Sequence, residues 1–248
     1  MVLITGASKG IGLKVVEKYL ASGETVVATD REIENLNKYS DSHRIHWLKM
    51  DVTNRTEVKR VIDKVESEIG EINIFVNVAG IFKSCPVEDT TIEEWTKIFE
   101  VNTTGVFNVT QAVSDRMKSR KKGSIIVVSS NASKYPRVGM GAYAASKAAT
   151  SMYTKCLALE LSEYGIRCNI VSPGSTNTDM QKQLWNGSKI VPKSILNGDL
   201  KTYRLGIPLH KIAEPEDIAE VIFFLASDKA GHITMEEVTV DGGATMGV

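Results

Sequence analysis

Val2-Leu3-Ile4-Thr5-Gly6-Ala7-Ser8-Lys9-Gly10-Ile11-Gly12, at the start of the chain, sets an apolar run against a glycine-spaced turn. The run reads as a buried strand, and Leu13, Val16, Tyr19 and Leu20 then recur at helical spacing, so the stretch is strand, turn, helix. Gly6 suits the turn, Gly10 lets backbone approach a pyrophosphate, and Gly12 permits close packing of helix on strand. The helix N-terminus adds unpaired N–H groups and the positive end of its dipole, which favour phosphate. Ser8, Lys9 and Ile11 stand in the same turn and are expected among the contacts of that ligand. A second strand, residues 25–29, delivers Asp30 about twenty residues after the glycines, where a carboxylate can bond both ribose hydroxyls of NAD and repel the extra phosphate of NADP.

Residues 124–130 read as another buried parallel strand and 143–162 as a helix, with a loop between them where open α/β sheets carry their chemistry. Tyr143 and Lys147, four apart, share one helix face, where a lysine ammonium can lower the tyrosine pKa from about 10. A tyrosine so tuned acts as acid or base near neutral pH. Ser130, returning from the strand end, is placed to hydrogen-bond the same substrate oxygen.

Further strands are expected at 46–50, 72–76, 165–172 and 237–240, and helices at 57–69, 93–120 and 215–225. Strand and helix alternate without linker or repeat. The expected fold is α/β, a single Rossmann-type doubly wound parallel sheet of about seven strands with helices on both faces, spanning 1–248 as one domain. Only 179–206 lacks periodicity, with Gly187, Pro192 and Gly198 interrupting it, and a segment of that length inside a compact domain reads as a substrate lid.

Composition narrows the partners. The 30 Lys and Arg residues balance 30 Asp and Glu, so neither a nucleic-acid footprint nor a membrane-seeking basic patch is expected. Cys85, Cys156 and Cys168 lack any Cys-x-x-Cys spacing and are odd in number, which fits a reducing cytoplasm rather than a disulfide framework. His43 and His46 have no acidic or cysteine partner at ligand spacing, so no metal is expected. The first core strand begins too close to residue 1 for a signal peptide, and no apolar run reaches membrane-spanning length.

With Asn77-Val78-Ala79-Gly80, Asn102, and Pro173-Gly174 at matching intervals, the glycine turn and Tyr143-x-x-x-Lys147 resemble the short-chain dehydrogenase/reductase family over essentially the whole chain. That resemblance implies hydride transfer with NAD or NADP as cofactor. It also implies adenine contacts at Asp51 and Val52, and cofactor contacts at Asn77, Ala79, Gly80, Tyr143 and Lys147, with Asn77 supporting the central sheet. Asn102 would occupy a bent helix in a proton relay, and Pro173, Gly174, Thr176 and Thr178 would hold the nicotinamide carboxamide. Family members tetramerise on the two helices 93–120 and 143–162, so a homotetramer is implied. Arg31 and Lys9 stand where cations help some members hold NADP; Asp30 outweighs them in this reading, which is for NAD. Residues 136–140, 172–181, 205–209 and 232–234 further resemble the branch that oxidises a dihydrodihydroxybenzoate in catechol siderophore synthesis. Its substrate is a small anionic cyclohexadiene diol. Arg137 would grip the carboxylate with two parallel hydrogen bonds, with Met140, Met180, Gln181 and Trp185 completing the pocket. A 3-oxoacyl thioester reductase and, more distantly, a non-catalytic dinucleotide-binding protein are the alternatives, and Asp30 and the balanced charge weigh against the first.

Overall fold

The computed structural model describes residues 1–33, 42–185, 188 and 190–247. Its sheet is built from β1 (Val2–Thr5), β2 (Val26–Asp30), β3 (Ile45–Lys49), β4 (Ile74–Asn77), β5 (Gly123–Val128), β6 (Ile166–Pro173) and, last in the chain, β9 (Glu237–Val240). These form a seven-stranded sheet in the order β3-β2-β1-β4-β5-β6-β9. Every neighbouring pair is parallel, with Val2 in register with both Val26 and Ile74. The strand order reverses between β1 and β4, and in such sheets the crevice at the strands' carboxyl ends is where ligands bind.

Side chains alternate across the strands, and the two core clusters follow that alternation. Leu3, Val27, Phe75, Ile125 and Val127 pack against α2 (Arg55–Glu68), α4 (Gly105–Arg120) and α5 (Gly141–Ser162). Val2, Ile4, Val26, Ala28, Val76, Ile126 and Val128 pack on the other face against α1 (Gly10–Ala21) and α8 (Pro215–Ala226). The strands are apolar at successive positions because both faces are covered. Among the described residues, no helix is long and apolar enough to cross a membrane.

Two segments depart from the sequence expectation. The helix expected at 93–120 is interrupted: α3 (Ile92–Phe99) passes into a π-turn, Glu100–Thr104, before α4 begins. A π-turn adds a residue to the hydrogen-bonded ring without a change of overall direction, so hydropathy period alone does not reveal it. The irregular segment 179–206 holds short elements: α6 (Asp179–Lys182), α7 (Lys193–Asn197) and an antiparallel pair, β7 (Gly198–Asp199) with β8 (Arg204–Leu205). Trp185, Ile195, Ile207 and Ala244 form a small core beneath it. Gly187, one of the expected interruptions, lies outside the described residues.

Candidate active site

A cavity of about 350 Å³ opens at the carboxyl ends of the strands. At one end it is walled by Gly6, Ser8, Lys9, Gly10 and Ile11. Gly10 has φ +54°, a backbone conformation that residues other than glycine rarely adopt, and a Cβ there would lie 3.3 Å from Thr178 Cγ2. Gly12 stands behind the wall, where a Cβ would fall 2.0 Å from the Gly6 carbonyl oxygen; it brings α1 against the turn. No side chain caps α1, and its first turn holds no acidic residue. The uncapped N–H groups and the glycine cradle therefore fit an anionic group such as a pyrophosphate.

Asp30 closes β2 and lines the same cavity. Its Oδ2 accepts hydrogen bonds from the Ser8 backbone N–H (3.0 Å) and the Ser8 hydroxyl (2.7 Å), and its Oδ1 accepts from the Arg31 N–H (2.7 Å). Arg31 lines the cavity too, its exposed guanidinium 3.8 Å from Glu32 Oε1. Asp51 accepts from the Thr53 N–H and hydroxyl at 2.9 and 2.8 Å, and it lines the cavity with Val52, Ala79 and Gly80. Asn77 does not line it. Buried between β1 and β4, Asn77 accepts a hydrogen bond from the Thr5 hydroxyl (3.1 Å), which is the sheet-supporting part of its expected role.

Ser130, Tyr143 and Lys147 meet at the cavity floor. Ser130 turns the chain out of β5 into a 3₁₀ turn, with its hydroxyl accepting from the Ala132 N–H at 3.2 Å. Tyr143 stands in the first turn of α5, its ring edge-on to Phe82 with centroids 5.0 Å apart. Lys147, one turn on, is buried and donates from Nζ to the Val128 carbonyl at 2.9 Å. Its nitrogen lies 5.9 Å from the Tyr143 ring centroid.

The electrostatics correct one expectation. Lys147 does not lower the Tyr143 pKa in the protein by itself: burial raises it, and a hydrogen bond with Ser130 opposes that rise. The same burial disfavours the ammonium, taking Lys147 down to about 8. Spacing brings the two residues together without supplying the tuning.

Asn102 sits in the π-turn, fully buried, and lines no part of the cavity. Its Oδ1 accepts from the Ile81 N–H (2.8 Å), while Nδ2 donates to the Ile81 carbonyl (2.9 Å) and the Ser146 hydroxyl (3.1 Å). Gly80 shows how close the groups lie: a Cβ there would stand 3.3 Å from both Asn102 Oδ1 and Lys147 Nζ.

The family model described as short chain dehydrogenase matches residues 1–189. The chain belongs to the short-chain dehydrogenase family. It is 46% identical to a 2,3-dihydro-2,3-dihydroxybenzoate dehydrogenase of Bacillus subtilis (strain 168), covering 99% of this chain and 95% of that protein. It is 42% identical to the vibriobactin-specific 2,3-dihydro-2,3-dihydroxybenzoate dehydrogenase of Vibrio cholerae serotype O1, with the same shares covered. Among solved structures, a gluconate 5-dehydrogenase from Burkholderia cenocepacia J2315, in complex with NADP and tartrate, superposes with TM-score 0.90 at 29% identity, covering 100% of this chain and 95% of that one. As a short-chain dehydrogenase the protein is an oxidoreductase that uses a nicotinamide dinucleotide.

On this short-chain dehydrogenase frame, Pro173 closes β6 and Gly174, Thr176 and Thr178 follow it along the cavity wall, which Arg137, Met140, Met180 and Gln181 also line. Trp185 does not. It is 5% exposed and packed in the core with Ile195, Ile207 and Ala244, where burial of the indole against apolar neighbours removes its surface from water. Leu184, Phe82, Ser175 and Arg204 line the cavity instead. Arg204 had a signal in the sequence, being the lone arginine between 179 and 206.

Proposed function

We propose that this chain oxidises 2,3-dihydro-2,3-dihydroxybenzoate to 2,3-dihydroxybenzoate with NAD, in catechol siderophore synthesis. The observation that carries the reading is Arg137. It is a partly buried guanidinium on the cavity wall near Tyr143, and among the described residues no group accepts a hydrogen bond from it. A carboxylate on a small ring would supply that acceptor. The full-length likeness to the Bacillus and Vibrio enzymes of that name supports the same substrate.

In this reading the glycine cradle and α1 hold the pyrophosphate, Asp30 takes the ribose hydroxyls, and Pro173 to Thr178 hold the nicotinamide end. Bound NAD supplies the acceptor for the hydride lost from C3. Tyr143 takes the proton of the C3 hydroxyl, Ser130 holds that oxygen and opposes the rise in the Tyr143 pKa, and Lys147 stands beside them on the Val128 carbonyl. Asn102 holds Ile81 and the start of the relay. The ketone formed at C3 gains aromaticity on enolising, which draws the oxidation forward. The segment 179–206 covers the substrate, with Met180 and Gln181 as contacts. A homotetramer packed through α4 and α5 is part of the proposal, supported by exposed Phe107, Met152 and Leu159 on those helices. Unpaired cysteines are consistent with a cytoplasmic setting.

The test is Arg137→Met. It is expected to lower kcat/KM for the acid by about 1.5–3 kcal/mol of lost charge-assisted hydrogen bonding, with NAD affinity unchanged. A neutral cyclohexadiene diol without the carboxylate is expected to be a poor substrate for the wild type and to lose little more in the variant. Equal losses on both substrates would mean the loop beside Tyr143 had been disturbed, and the carboxylate contact would fall.

A further inference from the structure

The lid segment brings a second guanidinium to the cavity. Arg204 follows Tyr203, whose φ is +51°, and opens β8. Its side chain lines the same cavity as Arg137. Two features fix it there. The β7–β8 pair is tight: a Cβ on Gly198 would lie 2.7 Å from the Arg204 carbonyl oxygen, and one on Gly206 would lie 2.4 Å from that of Leu196. The buried core of Trp185, Ile195 and Ile207 supports the segment from below.

The charge on Arg204 is poorly compensated. Nη2 donates to the Ser175 hydroxyl at 3.1 Å, and Nε is buried with no acceptor among the described residues. Asp199 attracts it without forming an ion pair; the Asp199 oxygens accept from the Lys201 N–H at 3.0 Å and the Thr202 hydroxyl at 3.2 Å. Burial and the like charge of Arg137 hold the Arg204 pKa down at about 10. Two half-buried guanidiniums thus face one space and repel each other; Asp241 attracts Arg137 and Asp199 attracts Arg204, but among the described residues neither guanidinium has a carboxylate in hydrogen-bonding contact. Desolvated charges of one sign are costly unless an opposite charge pairs with them.

We propose that Arg204 is a specificity-determining residue that shares the substrate carboxylate with Arg137, so that the site selects ring acids by a two-arginine clamp with one arm on the loop after β5 and the other on the lid segment. This rests on the substrate reading above and deepens it. The Ser175 hydroxyl, which also accepts from Gln181 Nε2 at 3.4 Å, would hold the Arg204 arm in place beside α6.

Calorimetric titration of 2,3-dihydroxybenzoate into the enzyme saturated with NADH tests this. Arg204→Met is expected to weaken acid binding by about 10- to 100-fold, as for a lost charge-assisted hydrogen bond, and Arg204→Lys to weaken it less. The neutral 2,3-dihydroxybenzamide should bind weakly to the wild type and no worse to Arg204→Met, and unchanged NADH affinity would report an intact fold. If Arg204→Met held the acid as tightly as the wild type while Arg137→Met did not, the clamp would be overturned and the proposed function would stand. Equal losses for acid and amide would also overturn it, assigning Arg204 to the shape of the lid. A wild type that bound neither compound, or preferred the amide, would remove the proposed function itself.

Discussion

Tyr143→Phe is expected to retain NAD binding and to cut kcat/KM by roughly 100- to 10,000-fold, the range that a positioned acid–base group contributes. The substitution removes one hydroxyl and leaves the ring, so the edge contact with Phe82 at 5.0 Å survives. Lys147 keeps its bond to the Val128 carbonyl, and Ser130 keeps its place at the strand end. Lost turnover with intact cofactor affinity would therefore report the proton transfer and not a collapsed site. The pH dependence has a defined sign. Because burial raises the Tyr143 pKa, the phenol is protonated at neutral pH, and its base form grows as pH rises. The wild-type kcat/KM for oxidation should climb steadily from acid pH through pH 8 and beyond, with no plateau near neutrality. Survival of turnover within a few-fold in Tyr143→Phe would require another base.

Asp30→Ala should produce the other large change, in cofactor choice. The wild type is expected to prefer NAD over NADP by about 100-fold or more, since a like charge beside the extra phosphate costs several kcal/mol. Three hydrogen bonds from Ser8 and Arg31 fix the carboxylate before any ligand arrives, and Glu32, 3.8 Å from the Arg31 guanidinium, adds negative charge to the wall that the arginine also lines. Removing Asp30 takes away the repulsion and the ribose contact together, so NAD should weaken, NADP should improve, and the preference should collapse. The check is kcat/KM with each cofactor on both proteins. A wild type that favoured NADP would show that Arg31 and Lys9 dominate the local field.

What the sequence disclosed follows from how each feature is encoded. The sheet was legible because strands covered on both faces must be apolar throughout, and because Gly10 and Gly12 answer to backbone demands that few other residues meet. Asp30, Tyr143 and Lys147 were legible because strand ends and helix turns place side chains at fixed spacings. The lid segment was not. Its elements are two to five residues long, too short for any period to show; Trp185 lies inside because it packs with Ile195, Ile207 and Ala244, and Arg204 is held on the cavity by Ser175, contacts between residues distant in sequence. The tuning of Tyr143 was misread for a related reason: spacing reports which groups meet, whereas a pKa depends on how far each is withdrawn from water.

The most direct measurement is to incubate the protein with 2,3-dihydro-2,3-dihydroxybenzoate and NAD and to quantify both products. The account predicts NADH and 2,3-dihydroxybenzoate in equal amounts, with little reaction when NADP replaces NAD. No turnover of this acid, together with reduction of a 3-oxoacyl thioester by NADPH, would contradict it.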